Sequence, residues 1–234
     1  MKRGANSVSF PVAMSTRSAA LLVLTLGVWI AGCSNYVPGD ATYNLGHPEQ
    51  ARETYETNYK AGSNAAGLRL GEMYLAGLGG TDDLERAIAI NKDLAAKGVV
   101  AAEHNLGYCY EYGRGIIDYN QAAIWYGKAA QHRYVPAMYN LGTLYAKERL
   151  LPGNDVEGLT LLLEASELAE GISGEKARFI REDPPGHRLR MVHRMSAADV
   201  NRARKQAKER AAEFRRKGTD QNFTSQQQLP TSQP

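Results

Sequence analysis

Apolar side chains recur at intervals of three and four along residues 48–217, set among charged and amide residues, and strictly alternating apolar–polar runs are hard to find. That spacing predicts helices and little or no sheet. The pattern also repeats. "AGLRLGEMYLAGLG" (66–79), "AEHNLGYCYEYGRG" (102–115) and "AMYNLGTLYAKERL" (137–150) place Ala66, Ala102 and Ala137 in register, 36 and 35 residues apart. The pairs Leu70-Gly71, Leu106-Gly107 and Leu141-Gly142 keep step, and so do Tyr74, Tyr110 and Tyr145. Behind each lies a second helical pattern, at 84–98, 120–133 and 156–169, with Ala87, Ala122 and Gly158 in register. A period near 35 containing two helical segments predicts a stack of helix–turn–helix units.

Each first helix carries Ala, Leu, Gly and Tyr on one face. A glycine inside a helix costs up to about 1 kcal/mol against alanine, so three of them in register predict places where another helix packs on bare backbone. Gly77 and Gly113 suit helix C-termini, and Asp82 with Glu85 and Asp118 with Gln121 have the spacing of capping boxes that open the second helices. Cys109 falls on a first helix as a small core residue. Upstream, residues 48–62 match the second helix of an otherwise missing unit, since Ala51 and Tyr55 precede Ala122 and Tyr126 by 71 residues, with Pro48 at a helix start. Downstream, Ser196 is a plausible cap for a helix whose Val200, Ala203, Ala207, Ala211 and Phe214 form one stripe.

These residues resemble the Sel-one-like repeats, a subfamily of the tetratricopeptide-type solenoids. The second unit is nearly complete, with Gln121-Ala122, Trp125-Tyr126 and Lys128-Ala129-Ala130 following the paired glycines. The third lacks those glycines, inserts "ERLLPG" and predicts a longer or irregular turn. The resemblance implies an all-α, right-handed α-solenoid of about three and a half repeats over residues 48–182. A basic connector and capping helix (183–217) and a disordered tail (218–234), rich in Gln, Ser, Thr and Pro, follow.

The N-terminus changes the picture. After Arg17 comes "SAALLVLTLGVWIAGCS", an uncharged apolar run too short to span a bilayer, which predicts an export signal over 1–32. Both Met1 and Met14 can serve as its start. The ending Ile30, Ala31, Gly32, Cys33 resembles the bacterial lipobox, which implies that Cys33 is lipidated, with acyl chains such as palmitate, and becomes the mature N-terminus. By resemblance to the sorting rule for such proteins, Ser34 implies the outer membrane, facing the periplasm. Residues 33–47 would then be a tether, reaching at most about 45 Å from Ser34 to His47 if extended. With Cys33 lipidated only Cys109 remains, so no internal disulfide forms.

Net charge over the full chain is +3, but the distribution is polar: residues 33–174 hold 11 basic and 18 acidic side chains, residues 175–234 hold 14 and 7. The basic third raises nucleic-acid binding, which export argues against, as do its few aromatics, Phe179 and Phe214 among them. The basic third reads first as a solvated face of the cap, and otherwise as a surface for an anionic envelope partner such as an acidic polysaccharide, lipid headgroups or an acidic protein. Ser173 and Lys176 fit S-x-x-K, the nucleophile motif of penicillin-recognising enzymes, but the companion S-D-N and K-T-G motifs are absent, and a serine before a helix is usually a cap. His187 and His193 lack a carboxylate or cysteine at ligand spacing and read as solvated; the sequence implies no metal and no cofactor.

What remains is the solenoid surface. By the resemblance, first helices line the concave face, which places Leu68, Glu72 and Leu75, then His104, Tyr108 and Glu111, then Tyr139, Thr143 and Ala146 outward as a protein-binding strip. The expectation is a non-catalytic interaction scaffold, lipid-anchored to the outer membrane and assembling an envelope protein complex such as an exopolysaccharide secretion machine. The alternatives are a cell-wall or penicillin-binding activity at Ser173 and Lys176, or direct binding of anionic polysaccharide through the basic third.

Overall fold

The computed structural model describes residues 37–217 except 114, 149–153 and 171; the expected signal, Cys33 and the expected tail lie outside them. Among the described residues every regular element is a helix: α1 (Asp40–Asn44), α2 (Pro48–Lys60), α3 (Asn64–Ala76), α4 (Leu84–Ala96), α5 (Val100–Tyr112), α6 (Tyr119–Gln131), α7 (Val135–Ala146), α8 (Asp155–Ala169), α9 (Glu175–Glu182), α10 (His187–Arg194) and α11 (Ala197–Lys217). Each helix from α2 to α8 packs on the next in sequence, and the first helices also touch one another, α3 on α5 and α5 on α7. That is the contact pattern of an α-solenoid. The helix α11 caps the array along α8, burying Val200, Ala203, Ala207 and Ala211 as the stripe predicts.

The register residues are the crossing points. Ala51, Ala66, Ala87, Ala102, Ala122 and Ala137 are all fully buried, small enough to let helices approach closely. The three first-helix glycines do face a second helix: a methyl group at Gly71 would meet the Asn91 amide, at Gly107 the Tyr126 ring and at Gly142 the Leu162 side chain. Buried Cys109 sits behind this seam, its thiol pushed up to about 12 by burial.

Local signals read from the chain mostly hold. Pro48 starts α2, Asp118 accepts from the backbone N–H groups of Asn120 and Gln121, and Ser196 Oγ accepts from Asp199 N. One needs correction. The cap of α4 is Asp83, whose carboxylate accepts from Arg86 N, because the chain leaves α3 through a left-handed Gly77 and spends one residue more than expected in the turn. Gly113 ends α5 as expected, in an extended conformation, and a side chain there would strike Cys109 O and Leu84.

Part of the segment expected as a tether, residues 33–47, is folded chain. Val37 is buried, α1 packs on α2, and the Tyr55 hydroxyl donates to Asp40 Oδ1 at 2.5 Å while its ring lies over Gly39. The second unit repeats this arrangement: Tyr126 donates to Glu111 Oε2 at 2.9 Å with its ring over Gly107, and in both cases the carboxylate precedes the tyrosine by 15 residues. α1 therefore stands in for the end of a first helix, and the upstream unit is truncated rather than missing.

Candidate protein-docking groove

A groove of about 410 Å³ runs between the first helices α3, α5 and α7 on one side and α9 on the other. Five of the residues expected to face outward line it: Glu72 and Leu75 from α3, His104 and Tyr108 from α5, Tyr139 from α7. Leu68 is half-buried on α3 outside the lining.

The rest of the expected strip is corrected. Glu111 is buried, accepting from Tyr126 and facing Lys147 Nζ at 3.5 Å, because it closes the contact between the two helices of its own unit. Thr143 and Ala146 are buried, and so is Tyr139 apart from the edge it gives the groove. Here α9 and α10 cross the third unit's first helix. The Tyr139 hydroxyl donates to Asp183 Oδ1 at 2.9 Å, and its ring meets Phe179 edge-on at 5.9 Å and His187 at 6.2 Å. His187, expected to be solvated, is buried in that contact and bonded to Arg190. The C-terminal third therefore covers the end of the concave face and leaves the first two units open.

Aromatic side chains dominate the open part. Tyr108 and Tyr112 lie with ring centroids 4.6 Å apart on α5, and both are exposed; Phe179 faces them from α9, 43% exposed. Such large, stiff side chains bury much area at small entropic cost when a partner covers them. His104 sits deeper, between the rings of Tyr126 and Tyr134 at 5.6 and 5.4 Å and against Asn140 at 3.1 Å; burial depresses its imidazole to about 4, so it is neutral at pH 7.

The floor and far wall are polar. Glu72 is held by Arg69 at 3.6 Å, and burial raises its carboxyl above the ordinary range despite that cation. Lys176 of α9 is half-buried across from it, its ammonium depressed by burial, with Glu72 opposing the shift. Two buried side-chain atoms in the lining have no hydrogen-bond partner among the described residues, Asn91 Oδ1 and Asn105 Nδ2. Asn91 is 1% exposed and occupies the register position that Tyr126 fills one unit later. Asparagine is much the smaller, and the groove deepens over it.

Asn91, Asn105, Tyr112 and Phe179 escaped the strip deduced from repeat positions. Asn91 had a readable signal, as the polar exception at an aromatic position of the repeat; Phe179 had none, because it depends on where α9 docks. Ser173 is exposed and α9 begins at Gly174 without a side-chain cap, so the expected cap does not form. Among the described residues no hydrogen bond joins Ser173 to Lys176, and no cluster of three or more His, Cys, Asp and Glu is placed to hold a metal. Nor is any described helix long and apolar enough to cross a membrane.

A comparison with curated proteins finds no match. Among solved structures, the chain is similar to c5321, described as a protective antigen of uropathogenic Escherichia coli with an SLR fold, at 23% identity and a TM-score of 0.56. The match covers 84% of this chain and 43% of that one, so the chain spans less than half the length of that relative. A Sel1 repeat protein from Oxalobacter formigenes aligns at 21% identity and a TM-score of 0.45, covering 73% of this chain and 84% of its own. The model of the Sel1 repeat matches residues 65–89, 100–134 and 135–169, within the three helix pairs of the array: the chain contains Sel1 repeats, stacked as an α-solenoid.

Proposed function

We propose that the protein is a non-catalytic interaction scaffold, anchored through a lipid on Cys33 to the periplasmic face of the outer membrane, where it assembles an envelope complex such as an exopolysaccharide secretion machine. The observation that carries the docking part is the groove: a concave, aromatic-walled cleft with unpaired polar atoms at its floor, built on rigid helices. Sel1 repeats generally mediate protein–protein contacts, which supports the same reading. The anchoring part rests on the apolar run ending in Ile30-Ala31-Gly32-Cys33, and the assembly on family analogy.

Two variants test it in cells. Cys33→Ala should move the protein from the membrane to the soluble fraction and abolish labelling by palmitate. Tyr108→Arg combined with Phe179→Glu should keep the melting transition but lose the proteins that co-purify after chemical crosslinking. Unchanged fractionation would overturn the anchor, and an unchanged set of co-purifying proteins would overturn the groove as the docking surface.

The basic third supports a second reading, binding of an anionic polysaccharide, because Arg204, Lys208 and Arg216 of α11 are exposed and, among the described residues, carry no ion pair. Binding to purified envelope glycan that disappears at moderate salt would favour it.

A further inference from the structure

Glu72 and Lys176 are the two charged side chains in the lining, since His104 is neutral. Glu72 is engaged by Arg69, whereas Lys176 has no hydrogen bond or ion pair among the described residues. Its ammonium is thus half-desolvated without a contact anion. Beneath the open groove lies Asn91, fully buried yet with Oδ1 unsatisfied, and Asn105 adds an unsatisfied Nδ2 donor. Buried polar atoms without partners carry an uncompensated desolvation cost, so they mark places where a ligand recovers energy.

Resting on the docking reading above, we propose that this part of the groove is a subsite for one acidic residue of an extended segment of a partner protein. The aspartate or glutamate carboxylate accepts from Lys176 Nζ, and small side-chain rotations bring the covered Asn91 Oδ1 to a main-chain N–H and the covered Asn105 Nδ2 to a main-chain carbonyl of the segment. The neighbouring side chain of the segment lies between Tyr108 and Phe179. Donors and acceptors then match one for one, and the incoming charge is opposite to that of Lys176, whose anionic neighbour Glu72 is already shared with Arg69. The subsite exists because this unit has asparagine where the next has tyrosine; a tyrosine at 91 would seat its ring on Gly71 as Tyr126 does on Gly107 and fill the floor.

The test uses the full chain against a library of random twelve-residue segments displayed within a carrier loop, so that no free terminus is offered, beside a companion library with free C-termini. The loop library should enrich Asp or Glu at one fixed position. Lys176→Glu should switch that preference to Lys or Arg, and Asn91→Tyr, which follows the repeat's own pattern and should fold, should reduce enrichment at least tenfold. Enrichment indifferent to charge and to Lys176→Glu would overturn the subsite while leaving the groove as a docking surface. Enrichment confined to free C-termini would overturn the side-chain assignment in favour of a terminal carboxylate. No enrichment in either library would overturn the docking reading itself.

Discussion

Tyr126 lies with its ring on the bare backbone of Gly107 and its hydroxyl on the carboxylate of Glu111, one full turn further along the same helix. The first contact fixes how closely α5 and α6 approach, and the second fixes their register. Both depend on a glycine that helix propensity alone disfavours. Gly107→Ala should therefore destabilise by about 1–3 kcal/mol through overpacking, despite alanine's better propensity. Gly127 is the control: it is helical with open space where a side chain would go, so Gly127→Ala should leave stability unchanged or raise it by up to about 1 kcal/mol. Thermal or denaturant melts of the two variants should move in opposite directions.

The same device at the N-terminus gives a second prediction. Tyr55→Phe removes the bond to Asp40 and Tyr126→Phe the bond to Glu111, and each should cost about 1–3 kcal/mol, the range for hydrogen bonds to charged groups. Tyr126→Phe should be the more severe, because Glu111 is more deeply buried than Asp40. Urea titrations would rank them.

A buried ion pair ties the second unit to the third, and a half-exposed one ties the third to the C-terminal cap. Glu164 on α8 is fully buried and bonded to Arg133 after α6, while neighbouring Glu157 takes both guanidinium arms of Arg210 from α11 at 2.7 and 2.9 Å. Burial raises the Glu164 carboxyl, and Arg133 opposes that shift. Arg133→Met should cost about 3–5 kcal/mol by stranding the carboxylate, and adding Glu164→Leu should recover most of the loss. Denaturant unfolding of the single and double variants checks this.

His104 makes stability depend on pH. Its imidazole is held at about 4 in the fold against an ordinary value of 6.5, so between those values the unfolded chain binds the extra proton. Stability should be complete above that window and fall as pH drops through it. The buried His187, also depressed by burial, acts in the same direction, while the Glu72 and Glu164 carboxyls, raised by burial, act in the opposite one, so the net slope belongs to all four. His104→Gln should remove its share, seen as a shallower loss of melting temperature between pH 7 and 4.5 than in the parent protein.

Repetition made the core readable from the chain: once Ala66, Ala102 and Ala137 are aligned, the buried alanines, the glycine seats and most caps follow from helical geometry. The groove was only half readable. Positions on α3 and α5 follow from the repeat, but Tyr139, Thr143 and Ala146 obey the same rule and end up covered, because α9 and α10 fold back over α7 through Asp183 and Phe179. Such non-repeating segments carry no register, so neither their docking nor the far wall they form could be deduced. The role of α1 was hidden for a related reason, since Gly39 and Asp40 reproduce the contacts of a first helix without its sequence.

The claim at the centre of this account is that a partner protein lies in the groove between the first helices and α9. In-cell photo-crosslinking from Tyr108 and from Phe179 in the full chain, with Ile124 as an exposed site outside the lining, tests it most directly. The same discrete protein should be captured from Tyr108 and Phe179 and not from Ile124. Equal capture from all three sites, or none from the two groove sites in folded protein, would contradict it.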